Sequence, residues 1–389
     1  MFYNKLYHNK LRDNLEGDRM FNLSKKTFKK MDFILLFTIL ILVIFGLFVL
    51  KSAINPLGES IKTQILATII GFLAILFIWL LDLDFLRKMK WFIYILSVGF
   101  IISVMIFGQG GERWGANLWI RIGSFSLQPS EISKFLHILF LSFYIGDNRK
   151  KTDTWEFIIK FILLGYFPAL LVIYQQDLGT AMVYFFFTTA MFFISGVSWK
   201  KIGILLIIVL ILAIILLPLI WKNLEGYVID RFTDFGDNER NLETTTHQTD
   251  RGLIALGSGQ LTGRGYMNGP FSQNSYIPEQ HTDFIFPVLV EDFGFIGGAL
   301  TLILYAIMFI RLIKIALEAE DLAYTALSTG VFAMFFAHIL ENIGMTMKLL
   351  PVTGIPLPFF SNGGTFQLIN LILIGFVLAV SMQRKSLDF

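Results

Sequence analysis

Long apolar runs recur along almost the whole sequence, and they restrict its fold more than any other feature. A helix needs about 20 apolar residues to cross a hydrocarbon core of about 30 Å. Of the 389 residues, 55% are hydrophobic and only 16% are charged, which lies outside the balance of soluble proteins. We therefore predict an all-α membrane protein with about ten transmembrane helices. The predicted spans are 32–50, 61–81, 91–107, 130–146, 157–174, 178–197, 202–221, 284–316, 322–345 and 365–382.

The eighth run, 284–316, is too long for one straight crossing. Gly294, Gly297 and Gly298 fall inside it, and glycine pairs are typical places for a helix to bend. We predict a short half-helix at 284–292 followed by the true span. Irregular backbone at that depth is tolerated only where protein or a watery cavity covers it.

The rest of the chain is expected to form one membrane domain. Residues 1–30 are polar and basic, and the apolar run after them is too long for a signal peptide and lacks a small-residue cleavage site. We predict a basic cytoplasmic leader at 1–30 and a ten-helix domain at 31–385, which includes a large extracytoplasmic loop at 222–283 between helices 7 and 8. The sequence has no cysteine, so thiol chemistry and disulfides are excluded.

The distribution of positive charge predicts the orientation. Most Lys and Arg residues fall at one end of the predicted helices, and that end is cytoplasmic by the positive-inside rule, together with both termini. Three long loops at the opposite end, 108–129, 222–283 and 346–364, are rich in Trp, Phe, Gly and Pro. Long loops of this kind are usually functional. Any chemistry is therefore expected on the outer face.

The stretch IPEQHTDFIF places Glu279, His281 and Asp283 at the start of an apolar span. Asp283 could cap that helix by accepting hydrogen bonds from its first N–H groups. Alternatively, the three residues alternate along an extended approach to the helix, and Asp283 acts as a general base at the boundary between water and membrane. A divalent cation would need more oxygen ligands than this stretch supplies.

A second cluster lies in QPSEISKF, where Glu131 and Lys134 share one face of the fourth span. An ordinary first turn with an ion pair would explain them, but a cation just inside the hydrocarbon usually marks a functional site. Arg113 and Arg121 precede this segment. Together with Lys134 they could hold a pyrophosphate, or Arg113 could simply anchor the chain at the membrane interface.

The ninth span carries His338, Glu341, Asn342 and Met345 along one stripe. This polar seam is expected to hydrogen-bond neighbouring helices, with a role in proton or metal binding as the alternative. The segment GIPLPFFSNGG that follows is expected to be a stiff lining loop, because closely spaced prolines and a glycine pair do not favour a helix.

Five motifs, in order, carry a family resemblance: QPSEISKF, QQDLGTAM, GSGQLTGRG, PEQHTDFIFPVLVEDFGFIGG and NIGMTMKLLPVTGIPLPFFSNGG. They resemble the SEDS family (shape, elongation, division and sporulation) over nearly the whole chain after residue 30, and VTGIPLPF is more similar to RodA than to FtsW. The resemblance implies a ten-helix bacterial enzyme that polymerises lipid II into glycan strands outside the cytoplasmic membrane. It also implies a class B penicillin-binding transpeptidase as partner.

The resemblance also implies roles for single residues. Asp283 matches the catalytic carboxylate of the family's HTDF motif, Arg113, Glu131 and Lys134 match its charged positions, and Ser361 matches the serine of its SYGG motif. We count the last four, with Glu279 and His281, as substrate-binding candidates. The sequence departs from the family pattern at four positions: Gln176, Gln260, Lys348 and Asn362.

Three functional hypotheses follow. In the first, an inverting glycosyltransferase uses Asp283 as base, while Arg113 and Lys134, with or without a divalent cation such as Mg²⁺ or Mn²⁺, neutralise the departing pyrophosphate and Glu131 holds Lys134. In the second, the chain is a transporter or flippase for the same lipid, since intramembrane charges and broken helices also occur in transporters. In the third, it is a scaffold for the transpeptidase. Expected partners are lipid II, the growing glycan strand, the transpeptidase, other elongation-complex proteins and the membrane, but no nucleic acid.

Overall fold

The computed structural model describes residues 28–109, 118–122, 125–208 and 245–383. Most of these residues are helical, as predicted. One-turn 3₁₀ helices lie at Phe28–Lys30 and Asn55–Leu57. The α-helices are α1 (Phe33–Ile54), α2 (Lys62–Leu80), α3 (Leu83–Lys88), α4 (Lys90–Phe107), α5 (Pro129–Asp147), α6 (Trp155–Tyr174), α7 (Leu178–Ile194), α8 (Thr245–Ser258), α9 (Ile285–Glu318), α10 (Leu322–Thr346) and α11 (Gly364–Ser381). A further helix begins at residue 199 and is described to residue 208.

Within the described part of the chain, seven helices are long and apolar enough to cross a membrane: α1, α2, α4, α6, α9, α10 and α11. Helix α7 is apolar but has only 17 residues. The predicted span 202–221 and the predicted leader 1–30 fall largely outside the described residues. The chain is a multi-pass membrane protein.

Burial separates central helices from peripheral ones. In the apolar stretches of α10 and α11, 72% and 83% of the residues are buried, against 22% in α4 and 33% in α2. Helix α10 packs against α5, α7 and α9, and α11 packs against α2. The polar stripe of α10 therefore lies inside the protein, where each buried polar group needs a partner.

Two ends of the molecule are named here. The basic face carries the ends of helices rich in Lys and Arg, including Arg87, Lys90 and the run 149–151. The outer face is the opposite end, where α5 and α9 begin and α10 ends. The loop before α5 contains a short antiparallel hairpin, β1 (Ile120–Ile122) and β2 (Phe125–Leu127), in which Ile120 pairs with Leu127. The prediction of helices alone missed this hairpin because each strand has only three residues.

The predicted division of the eighth run is present in α9. Gly294 has φ +70° and ψ −170°, and a straight helix cannot continue through that conformation. A Cβ at Gly294 would lie 2.3 Å from the backbone nitrogen of Gly263, so only glycine fits. The half-helix at the start of α9 and the main span therefore meet at a kink, which the loop after α8 touches directly.

The same loop satisfies the backbone groups that the kink frees. The carbonyls of Glu291 and Asp292 accept hydrogen bonds from the backbone N–H groups of residues 264 and 265, at 2.8 and 3.1 Å. In return, Phe295 N–H donates to Gln260 at 2.8 Å and Ile296 N–H donates to Leu261 at 3.1 Å. This pairing explains how irregular backbone is tolerated there. The described part of the outer loop, residues 245–283, thus has structure and packs on α9.

Candidate functional site

A buried cation, Lys134, lies at the centre of the site. Lys134 lies on the second turn of α5, and its side chain is 0% exposed. Its Nζ lies 2.8 Å from Glu131 Oε1, which confirms that the two residues share one face of the helix. A buried charge of this kind needs both an opposite charge and further hydrogen bonds. Asp177, which caps α7 by accepting from Thr180 N–H at 3.0 Å, lies close enough to Glu131 to affect it electrostatically.

His338 of α10 supplies the second partner of Lys134. The distance from Lys134 Nζ to His338 Nε2 is 2.8 Å. Since an ammonium group can only donate, His338 Nε2 is the acceptor and Nδ1 carries the ring proton. Nδ1 faces the carbonyl of Pro356 at 3.4 Å. One histidine therefore connects the cation to residues 351–363, which we name the proline loop.

Asn342 lies one turn further along α10, about 6 Å nearer the outer face. Its Nδ2 donates to two backbone carbonyls, Asp283 at 2.8 Å and Ile355 at 2.8 Å. The predicted polar seam of α10 is thus confirmed, although its partners are α5, the proline loop and the backbone of Asp283. The sequence gives a helical spacing for Asn342 but no indication that it binds the Asp283 backbone.

The carboxylate of Asp283 faces the proline loop. Its Oδ2 would be 3.5 Å from a Cβ placed on Gly354, a glycine with φ +72°. Asp283 lies two residues before Ile285, the first residue of α9, and Phe284 occupies the N-cap position. The extended-approach interpretation is wrong: residues 278–284 form turns, in which Thr282 and Phe284 N–H both donate to the Glu279 carbonyl. We name residues 279–284 the acidic turn.

Ser361 supports the acidic turn from the proline loop. Its hydroxyl donates to the carbonyl of Thr282 at 2.5 Å and accepts from Leu357 N–H at 2.8 Å. The side chain is 1% exposed. Its hydroxyl thus holds the residue before Asp283 in position.

Two buried glutamines anchor the same segments, and sequence reasoning missed both. Gln280 Nε2 donates to the carbonyls of Ala53 at 2.7 Å and Ser272 at 3.0 Å. Gln64 of α2 donates to the carbonyl of Ser361 at 3.2 Å and accepts from the N–H of Gly363 at 3.0 Å. Buried glutamines in apolar runs are the signal that could have found them, because they need partners.

Other predicted residues lie nearer the surface or outside the description. His281 Nε2 is 3.9 Å from Glu59 Oε2, and Glu279 Oε2 is 3.3 Å from Thr282 Oγ1, so both stand at the rim of the acidic turn. Arg121 lies in β1, but only its backbone is described, and Arg113 lies outside the described residues. The two arginine side chains of the predicted clamp therefore lie outside what the structure describes.

The described residues were also compared with the requirements of a metal site. No three His, Asp or Glu side chains among them come together in a way that could hold a metal ion. The donor set around Lys134 is also unsuitable, because a buried ammonium group occupies the centre of it.

Two of the departures from the family pattern have a backbone explanation. Gln260 and Lys348 have φ values of +50° and +57°, in the left-handed region that favours glycine. This is where the family pattern predicts glycine. Lys348 also pairs with Asp250 of α8, with Nζ 3.1 Å from Oδ1. Asn362 contributes its backbone N–H to the carbonyl of His281 at 2.8 Å.

The helices and the buried charged site define a multi-pass membrane protein with a polar centre beneath its outer face. A family model for cell cycle proteins, that of FtsW, RodA and SpoVE, matches residues 30–386. The chain belongs to this family.

Individual relatives agree with the family match. The chain is 33% identical over 298 residues to the peptidoglycan glycosyltransferase MrdB of Escherichia coli K12, covering 76% of this chain and 79% of that protein. It is 27% identical to the peptidoglycan glycosyltransferase RodA of Treponema pallidum, covering 91% and 98% of the two chains.

Solved structures are similar as well. A chain from a structure titled as a peptidoglycan synthase complex that coordinates polymerization and crosslinking has a TM-score of 0.77 and 27% identity, covering 92% of this chain and 99% of that one. The rod shape determining protein RodA of Thermus thermophilus has a TM-score of 0.66 and 26% identity, covering 91% and 97%.

Proposed function

We propose that this protein is a peptidoglycan glycosyltransferase that polymerises lipid II into glycan strands on the outer face of the bacterial cytoplasmic membrane, for cell elongation and rod shape. Family membership and the activity named for its relatives support the proposal. One structural observation carries it: His338 of α10 contacts the Lys134 ammonium group, and Asn342, one turn further along the same face, donates to the backbone carbonyl of Asp283. In this proposal, the carboxylate and the cation act where the lipid tail of a substrate meets its sugar head.

In the proposed reaction, the Asp283 carboxylate accepts the proton of the acceptor sugar hydroxyl. The freed oxygen electron pair attacks the anomeric carbon of the donor sugar, with inversion. The bond from that carbon to the undecaprenyl pyrophosphate breaks, and its electron pair leaves with the pyrophosphate. General-base catalysis of this kind contributes about 10²–10⁴-fold in rate, and a fixed cation at the leaving group contributes further.

Each remaining residue has a supporting part in this proposal. Lys134 neutralises the departing pyrophosphate, together with Arg113, while Glu131 and His338 keep the ammonium group in place. Glu279 and His281 contact the sugar or peptide parts of the substrate from the rim. Ser361 acts through the position of the acidic turn.

The orientation and the partners belong to the same proposal. The basic face lies in the cytoplasm with both termini, and the outer face lies in the periplasmic or extracytoplasmic space. A class B penicillin-binding transpeptidase would bind there and crosslink the new strand, together with other elongation-complex membrane proteins. The similar chain from a peptidoglycan synthase complex supports this partnership.

The test is Asp283→Asn in purified protein supplied with lipid II in detergent micelles. We expect no glycan polymer from this variant, while the wild type makes polymer, because the amide keeps the shape of the side chain but cannot accept the proton. Asp153→Asn, a matched change on the basic face, should leave polymerisation intact.

Two outcomes would contradict the proposal. Polymer made by Asp283→Asn at wild-type rates would rule out the general base. A wild type that leaves lipid II unchanged in micelles, where no leaflet exists to cross, would favour a translocator instead.

A further inference from the structure

A cavity of about 540 Å³ opens on the basic face, at the opposite end of α5 from Lys134. Its lining includes Arg87 of α3, Asp147 at the end of α5, and Asp321 between α9 and α10. The consecutive residues Arg149, Lys150 and Lys151 complete it. We name this cavity the basic cleft. Nothing in the proposed glycosyl transfer uses it.

The floor of the basic cleft is an ion-pair network. Arg87 Nε lies 2.6 Å from Asp147 Oδ1, and Arg87 Nη1 lies 2.5 Å from Asp321 Oδ2. Lys90 Nζ is 2.6 Å from the other oxygen of Asp147. Partial burial acts to lower the pKa of Arg87, but hydrogen bonds and charges from Asp321 and Asp147 outweigh it and raise the pKa. The floor carboxylates are therefore neutralised and do not repel an anion.

One polar atom of the floor has no partner. The second oxygen of Asp321, Oδ1, is buried and accepts no hydrogen bond from the described residues. A buried carboxylate oxygen without a donor is costly. The floor therefore calls for a ligand that carries a hydrogen-bond donor.

The rim of the cleft has the opposite requirement. Arg149, Lys150 and Lys151 are all exposed, and none of their side chains forms an ion pair with a described residue. Three adjacent cations at one opening attract an anion, and a phosphate diester is a strong acceptor for both Arg and Lys. The cleft thus joins an anion-binding rim to a donor-binding floor.

Exposed aromatic residues indicate the depth in the membrane at which the rim of the cleft lies. Trp91, Trp155 and Trp199 are 49%, 44% and 78% exposed, and each stands at the first turn of a helix that begins on the basic face. Lys201 lies over the ring of Trp155 at 5.8 Å. Exposed tryptophans mark the headgroup region of a membrane. The cleft therefore opens where phospholipid headgroups lie.

We propose that the basic cleft binds the headgroup of an anionic glycerophospholipid whose head carries hydroxyl groups, with the phosphate diester on Arg149, Lys150 and Lys151 and a head hydroxyl donating to Asp321 Oδ1. Basic pockets between helices are known to take lipid headgroups. The exposed tryptophans at the same level favour a lipid headgroup over an acidic protein segment. The proposal is independent of the proposed glycosyltransferase activity.

The test is calorimetric titration of the purified full chain in detergent with dihexanoyl phosphatidylglycerol. We expect saturable binding that weakens about 10-fold or more in the triple variant Arg149→Gln, Lys150→Gln, Lys151→Gln. Lys200→Gln removes an exposed charge from the same face outside the cleft, and it should change affinity less than about twofold. The unfolding temperatures of the variants show that each is folded.

Three results would overturn the proposal. Equal weakening by Lys200→Gln would mean that diffuse charge, rather than a site, attracts the lipid. Equal affinity for inorganic phosphate would assign the rim to a free anion instead of a lipid. Equal affinity for dihexanoyl phosphatidylmethanol, a phosphate diester whose head has no hydroxyl group, would refute the contact with Asp321.

Discussion

The two ends of α5 handle positive charge in opposite ways. At the outer face, Lys134 is fully buried and bonded to Glu131 and to His338, a residue 204 positions away in sequence. At the basic face, residues 149–151 carry three consecutive cations that are exposed and without ion pairs among the described residues. One cation is held in place by side chains of the fold, and the others are surrounded by solvent.

The difference follows from the cost of desolvation. Several kcal/mol are lost when a charge leaves water, so a buried cation persists only with good partners. Lys134 has them, and their positions couple α5, α10 and the proline loop. An exposed cation keeps its hydration, so it needs no partner from the protein. Buried charge therefore indicates where the fold is constrained by function, and exposed charge indicates where the surface can bind.

The largest expected effect tests the buried cation. Lys134→Met leaves the Glu131 carboxylate, which is 2% exposed, without its partner. We expect a loss of about 3 kcal/mol or more in stability, together with loss of lipid II polymerisation. Thermal unfolding in detergent and a polymerisation assay measure the two effects.

A double variant separates structure from chemistry at Lys134. Glu131→Gln combined with Lys134→Met removes both charges and should recover most of the stability, but no activity, because the leaving group still lacks its cation. Wild-type polymerisation by the double variant would show that Lys134 is only structural.

A smaller effect is expected at Asn342. Asn342→Leu keeps a similar volume but removes both donors, to the carbonyls of Asp283 and Ile355. Without these two hydrogen bonds the acidic turn can shift. We therefore expect the polymerisation rate to fall about 10- to 100-fold.

The matched control is Asn370→Leu in α11. Asn370 is also buried, and its amide has no hydrogen-bond partner among the described residues. That variant should keep its polymerisation rate. Equal losses in both variants would mean that Asn342 contributes only to packing.

The smallest effect is expected at an exposed ion pair. Lys160 Nζ lies 2.6 Å from Glu156 Oε1 on the basic side of α6, with both side chains more than half exposed. Pairs of this kind contribute little because water screens them. Lys160→Gln should leave the unfolding temperature in detergent unchanged. A clear decrease would mean that exposed charge also constrains this fold.

Much of the fold could be predicted because membrane helices satisfy their own backbone groups. The bounds of α2, α4 and α5 agree with the predicted spans to within one residue, and the bend at Gly294 is present. The hairpin before α5 could not be predicted in this way. Its strands are too short for a hydrophobic period, and they depend on local pairing.

The site was predictable only in part, for a related reason. Glu131, Lys134 and Asp283 were identified because charge beside an apolar run is unusual. The contacts of Asn342 and Ser361 with the acidic turn were not predicted, because both side chains bind backbone carbonyls of a distant segment. A sequence shows which group needs a partner, but the tertiary fold decides which partner it finds.

The kink at Gly294 has a mechanical consequence for Asp283. The half-helix between them is fastened at one end by the outer loop, through the pairs with residues 260–265, and at the other by Asn342 and Ser361. The half-helix is therefore held at both ends by hydrogen bonds. A protein that binds the loop after α8 from outside would therefore act on the backbone of Asp283 through the whole half-helix, instead of through a single side chain.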